Sequence, residues 1–170
     1  MTSAPEPWTP NSDIFNPRNT ATASLTLPSD CSALLPEKPA LPNGLAISRR
    51  VRFTVPATGT AALQARQVAR PALTLILGAG EQAERLSRRI ETCLAELVAL
   101  AYTVTTGEDL LCCVWLDAEH VFLSVEHEEP MPRVASDITM GLSVVKAIAD
   151  DYGTHRTDTG YQTWAAIDRG

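Results

Sequence analysis

Residues 81–102 read EQAERLSRRIETCLAELVALAY, and their periodicity decides the fold. Leu86, Ile90, Cys93, Leu94, Leu97, Val98 and Ala101 recur at the spacing that puts them on one helical stripe. Glu84, Arg85, Arg88 and Arg89 cover the opposite side. Inside this helix Glu96 and Leu100 are four apart, so a carboxylate and an isobutyl group share one face, a turn apart. The apolar stripe is already complete without them, which makes that pair the feature to explain.

Working outward, SRRVRFTVP alternates Val51, Phe53 and Val55 against Arg50, Arg52 and Thr54, a strand with one buried face. TAALQARQVARPALTLIL carries Ala62, Leu63, Ala65, Gln67, Val68 and Ala69 at near-helical spacing, and Pro71 is expected to end or bend that helix. LGAG reads as a turn. After the central helix, DLLCCVWLD and HVFLSVEH form a hairpin, the first strand buried on both faces and the second turning Val121, Leu123 and Val125 inward. EEPMPRVASD is a polar loop. Asp137 is placed to cap a third helix with the stripe Ile138, Leu142, Val145, Ile148 and Ala149, closed by Gly153. GYQTWAAID is a last strand with Tyr161, Thr163, Ala165 and Ile167 on one side. The order strand, helix, helix, strand, strand, helix, strand predicts a two-layer α/β sandwich, a mostly antiparallel mixed sheet covered by about three helices.

The 170 residues, 45% hydrophobic, suffice for one sizeable core. A net charge of −6 argues against nucleic acid as a direct partner, because phosphate binding wants a basic face. The only basic concentrations, Arg49–Arg50 and the arginines of the central helix, read as a solvated face. There is no run of 18 apolar residues and no signal-peptide layout, so the expected location is the cytoplasm, away from membranes. Cys31, Cys93, Cys112 and Cys113 form no CxxC pair, and His120, His127 and His155 do not complete a zinc site. The cysteines read as buried small hydrophobes in a reducing compartment.

Eight of the twelve prolines fall within residues 1–48. Residues 1–47 therefore read as a disordered, proline-rich tail, with the islands Trp8, Ile14–Phe15 and Leu34–Leu35 as candidate docking motifs. Residues 48–170 read as the folded domain.

The element order and three local strings resemble the histidine-kinase-like, Hsp90-like (GHKL) ATPase superfamily, and within it the small anti-sigma-factor serine kinases of bacterial partner switching. The first string is ELVALA, residues 96–101, which is similar to the family's Glu-Leu-Val-x-Asn-Ala box. Glu96 matches the glutamate that orients or deprotonates the attacking group. Leu100 stands where the family's Asn holds the Mg²⁺ bridging the phosphates. Mg²⁺ demands oxygen ligands, and an isobutyl group offers none. The second string, VEHEEPMP, resembles the Asp-x-Gly-x-Pro box, with His127 at the position of the aspartate that accepts the adenine amino group and Pro130 at the proline. A register shift of one or two residues would bring a neighbouring glutamate there instead. The third, TMGLSVVKAIAD, keeps Gly141 and Leu142 of a phosphate-wrapping Gly-x-Gly-Leu turn but has Thr139 at its first glycine. Thr163 and Trp164 match a Thr-Trp pattern whose threonine lies near adenine in relatives, and Trp164 is expected beside the pocket.

The resemblance implies a Bergerat-type ATP-binding fold with degenerate boxes: Glu96 as remnant base, Leu100, His127, Thr139, Gly141, Leu142 and Thr163 around the nucleotide position, and no metal ligand. Three functions follow. The favoured one is a pseudokinase-like regulator of transcription that uses the sandwich to bind protein: a sigma factor, an anti-anti-sigma protein or a second copy of itself. An active ATP- and Mg²⁺-dependent serine/threonine kinase would use Glu96 as base, with Glu126, Glu128 or Thr139 contributing substitute metal contacts. A small-molecule sensor would line an apolar pocket with Leu100, Met140 and Leu142. No cofactor is expected for the favoured reading, and ATP is the one to test.

Overall fold

The computed structural model describes Glu37, residues 49–131 and residues 136–170, with no side chains for 136–139. The chain runs β1 (Arg49–Pro56), α1 (Ala61–Leu77), α2 (Glu81–Tyr102), β2 (Asp109–Leu116), β3 (His120–His127), α3 (Ser136–Ile148), β4 (Asp151–Arg156) and β5 (Tyr161–Asp168). The strands form one sheet in the order β1-β2-β3-β5-β4, every neighbouring pair antiparallel. The three helices and this sheet make the two-layer α/β fold that the sequence predicts, with an antiparallel rather than mixed ladder.

Strand alternation sorts the side chains into an inner and an outer row. Val55, Leu110, Cys112, Val114, Val121, Leu123, Val125, Ala165 and Ile167 point inward, where they pack with Ala65, Ala69 and Leu73 of α1, Val145 of α3 and the α2 stripe. Every residue of the predicted α2 stripe is buried. Burying a large aliphatic side chain contributes about 2 kcal/mol, so α2 acts as the spine of the core.

Five expectations need correction. α1 passes through Pro71 to Leu77. Pro71 is exposed, so the Gln67 carbonyl that loses its i+4 donor lies on the solvent side, where water replaces the bond. The buried face of α1 is Ala61, Ala65, Ala69 and Leu73, whereas Leu63 and Val68 are exposed. Gly153 does not close α3: the helix ends at Ile148 and Gly153 lies inside β4, an edge strand whose polar sequence DYGTHR carries no apolar alternation. Several arginines are structural rather than a free solvated face. Arg49 donates to the carbonyls of Leu75 and Ile76 at the end of α1, and Arg89 to that of Ile148 at the end of α3. Asp137 does not cap α3 but is its second residue, since the helix begins at Ser136. The tail 1–47, apart from Glu37, lies outside the described residues.

Candidate functional site

Two clusters gather most of the nominated residues. The first lies where α2 meets α3. Leu100 is buried in the last turn of α2, and Leu142 is buried on α3. Between them sits Gly141: a Cβ added there would stand 2.9 Å from Glu96 Oε2 and 3.8 Å from Leu100 Cδ2. Glu96, Leu100 and Gly141 therefore meet. The half-buried Glu96 carboxylate reaches α3 at Gly141, in the second turn of that helix. Burial pushes the Cys93 thiol up to about 12, and the Glu96 charge adds to the effect, so Cys93 stays a protonated core residue.

The second cluster lies at the end of β3. His127 is buried, facing inward, and is stacked on Tyr161 at a ring separation of 6.0 Å. Its Nδ1 is 2.8 Å from the Glu129 carbonyl and its Nε2 is 2.8 Å from Thr163 Oγ1. A carbonyl only accepts, so Nδ1 carries the proton and Nε2 accepts from the Thr163 hydroxyl. Burial holds the imidazole below its ordinary 6.5, against the opposing pull of the Glu129 carbonyl and the Glu128 charge, and the ring is neutral at pH 7. Both nitrogens are thus engaged inside the protein, leaving no lone pair for an adenine amino group. His127 and Thr163, each nominated separately, are bound to one another.

The neighbouring carboxylates point elsewhere. Glu128 accepts from the Thr105 hydroxyl and from the Thr106 N–H at 3.1 Å. The Thr105 bond above all holds its carboxyl below the usual glutamate range. Glu129 donates its N–H to the Val104 carbonyl at 3.3 Å. Glu126 pairs with Gln162 in the outer row of the sheet. The β3 end is consequently pinned to the loop that follows α2. Gly160 completes the seam: a Cβ there would lie 2.5 Å from the His127 carbonyl oxygen.

The side chain of Thr139 lies outside the described residues. Trp164 does not join the site. It follows the inward Thr163 in β5 and so faces the outer side of the sheet, with Trp115 and Cys113. Met140 is 77% exposed whereas Leu142 is 1% exposed, so the three residues of the sensor pocket do not share one cavity. A cleft of about 630 Å³ opens instead between α1 and α2, lined by Arg66, Arg70, Ser87, Arg88 and Glu91 among others, and no nominated residue lines it. There the buried Glu91 accepts from Arg70 at 2.8 Å and Ser87 at 3.2 Å. This pair was not anticipated; its one sequence signal is a carboxylate beside Ile90, at the margin of the α2 stripe. No protein-family model matches the chain, and no curated protein matches it. No described helix is long and apolar enough to cross a membrane.

Proposed function

We propose that the domain is a non-catalytic regulator of the partner-switching type, acting in the cytoplasm by binding protein through a kinase-like sandwich. The observation that carries this reading is the double engagement of His127, whose Nδ1 and Nε2 are both satisfied within 2.8 Å by the chain itself. Leu100 supports it, because a buried hydrocarbon at the metal-ligand position removes the charge neutralisation on which phosphoryl transfer depends. The partner would be a sigma factor, an anti-anti-sigma protein or a second copy of the chain.

A second reading, an ATP- and Mg²⁺-dependent serine/threonine kinase, draws on Glu96 as its base; the Glu96 carboxylate lies against Gly141. Thermal unfolding with ATP, with and without Mg²⁺, separates the two. A ligand at 100 times its Kd stabilises a fold by about 2.7 kcal/mol, a shift of several degrees for a domain of this size. The regulator reading expects no Mg²⁺-dependent shift at millimolar ATP. A Mg²⁺-dependent shift that saturates at micromolar ATP favours the kinase.

A further inference from the structure

Glu91 is buried at the edge of an α2 stripe that is otherwise hydrocarbon and sulfur. A buried carboxylate needs donors, and Glu91 has three. Arg70 Nε donates at 3.2 Å, Arg70 Nη2 at 2.8 Å and the Ser87 hydroxyl at 3.2 Å. The two charged partners differ sharply in exposure: the Glu91 side chain is 6% exposed and that of Arg70 is 67%. The glutamate is thus sealed in, while the guanidinium reaches into the open cleft between α1 and α2. A guanidinium has five N–H donors in a rigid fork, so the two that face Glu91 leave three for solvent or a ligand.

Arg70 is not alone there. Arg66 precedes it by one helical turn on α1, and Arg88 lines the same cleft from α2. Among the described residues Arg66 makes no ion pair, and Arg88 has Glu84 alone, at 3.7 Å. Three arginines therefore line the cleft with two glutamates, a local charge of +1 in a chain of −6. Like charges one turn apart on a helix repel, and a bound anion relieves that repulsion. Glu91 is already matched, so the groups left over are guanidiniums, which suit carboxylate and phosphate oxygens.

The cleft volume of about 630 Å³ is that of a small-molecule site. Its lining changes along its length. The arginines stand away from the α1–α2 turn, whereas Leu77, Ala79 and Ala83 stand at it. One end meets a charged head group and the other an apolar body.

We propose that the α1–α2 cleft binds a small organic oxyanion, a phosphate monoester or a carboxylate. The head group sits against Arg66, Arg70 and Arg88, and the apolar body lies toward Leu77, Ala79 and Ala83. None of the residues compared with the nucleotide boxes lines this cleft, so the inference stands apart from the regulator and kinase readings.

Titration calorimetry of the full chain at pH 7 and physiological salt tests it, with phenyl phosphate, phenylacetate and uncharged benzyl alcohol as probes. At least one of the two anions should bind one-to-one with a Kd below about 1 mM, and the tighter one identifies the head group. Benzyl alcohol should not bind. Arg66→Gln should weaken anion binding by about 10-fold without changing the fold, because Arg66 is exposed and holds no partner among the described residues. If circular dichroism shows that variant unfolded, Arg88→Gln is expected to give the same loss. Arg156→Gln, at the end of β4 and outside the cleft, should leave binding unchanged. Failure of both anions to saturate at millimolar concentration overturns the proposal. So does benzyl alcohol binding as tightly as the anions, or anion binding that survives both cleft substitutions in folded protein. An equal loss in Arg156→Gln overturns it too, because the attraction would then belong to the whole surface.

Discussion

The two clusters at the candidate site are closed by different physical means. Where α2 meets α3, the Leu100 hydrocarbon packs beside Gly141, and the atom nearest to that glycine is the end of a flexible Glu96 side chain. At the β3 end nothing is simply missing. His127, Thr163 and the Glu129 carbonyl satisfy one another, and the Cβ space of Gly160 is closed by backbone. A filled space is reopened by one substitution. A satisfied hydrogen-bond network is not, because removing His127 strands the buried Thr163 hydroxyl.

That contrast orders the expected effects of substitution. His127→Ala should be the most damaging, lowering stability by about 3 kcal/mol, since it leaves the Thr163 hydroxyl and the Glu129 carbonyl without their partner and opens a cavity. Gly160→Ala should cost about 2 kcal/mol, because the atom 2.5 Å from its Cβ is a backbone oxygen that moves only with the strand end. Both are measured by denaturant unfolding, and equal, small effects would erase the distinction between the clusters. Leu100→Asn should cost less, about 1–2 kcal/mol for burying an amide, and should not by itself create Mg²⁺-dependent ATP binding while His127 remains engaged. Calorimetric titration of that variant checks this expectation.

Acidification sharpens the same comparison. His127 is held below its ordinary 6.5, so the unfolded chain binds a proton that the folded chain refuses. Its contribution is complete above pH 6.5 and is lost as the pH falls through the folded value. Glu128 is held below its ordinary 4.5, and its contribution persists until the pH falls below that value. Unfolding curves should therefore weaken in two stages, first below pH 6.5 and then below 4.5, and His127→Gln should remove much of the first stage, leaving the part due to His155, which burial also lowers. Gly141→Ala should be the mildest change, within about 1 kcal/mol of wild type in either direction. Glu96 can swing aside, and alanine improves helix propensity by a similar amount.

The sequence carried the frame of this fold where burial is strongest. The α2 stripe and the alternation in β3 and β5 leave little freedom, and the structure follows them residue by residue. β4 escaped notice because an edge strand stabilised by backbone pairing needs no apolar pattern. Pro71 misled because the cost of a missing donor depends on which side of the helix faces water, and that is a tertiary fact. The resemblance nominated Glu96, Leu100, Gly141, His127 and Thr163, and the chain brings the first three together and joins the last two. It could not indicate that His127 and Thr163 would bond to each other, because that contact spans two strands. Trp164 was legible in principle: adjacent strand residues face opposite sides, so an inward Thr163 already requires an outward Trp164.

The central claim is that His127 closes the site on itself, and ring ¹⁵N chemical shifts read this directly. In labelled protein at pH 7, titrated with ATP and excess Mg²⁺, the expected spectrum has a protonated Nδ1 and a hydrogen-bonded, unprotonated Nε2, unchanged up to millimolar nucleotide. A shift at either nitrogen that saturates at micromolar ATP would contradict it.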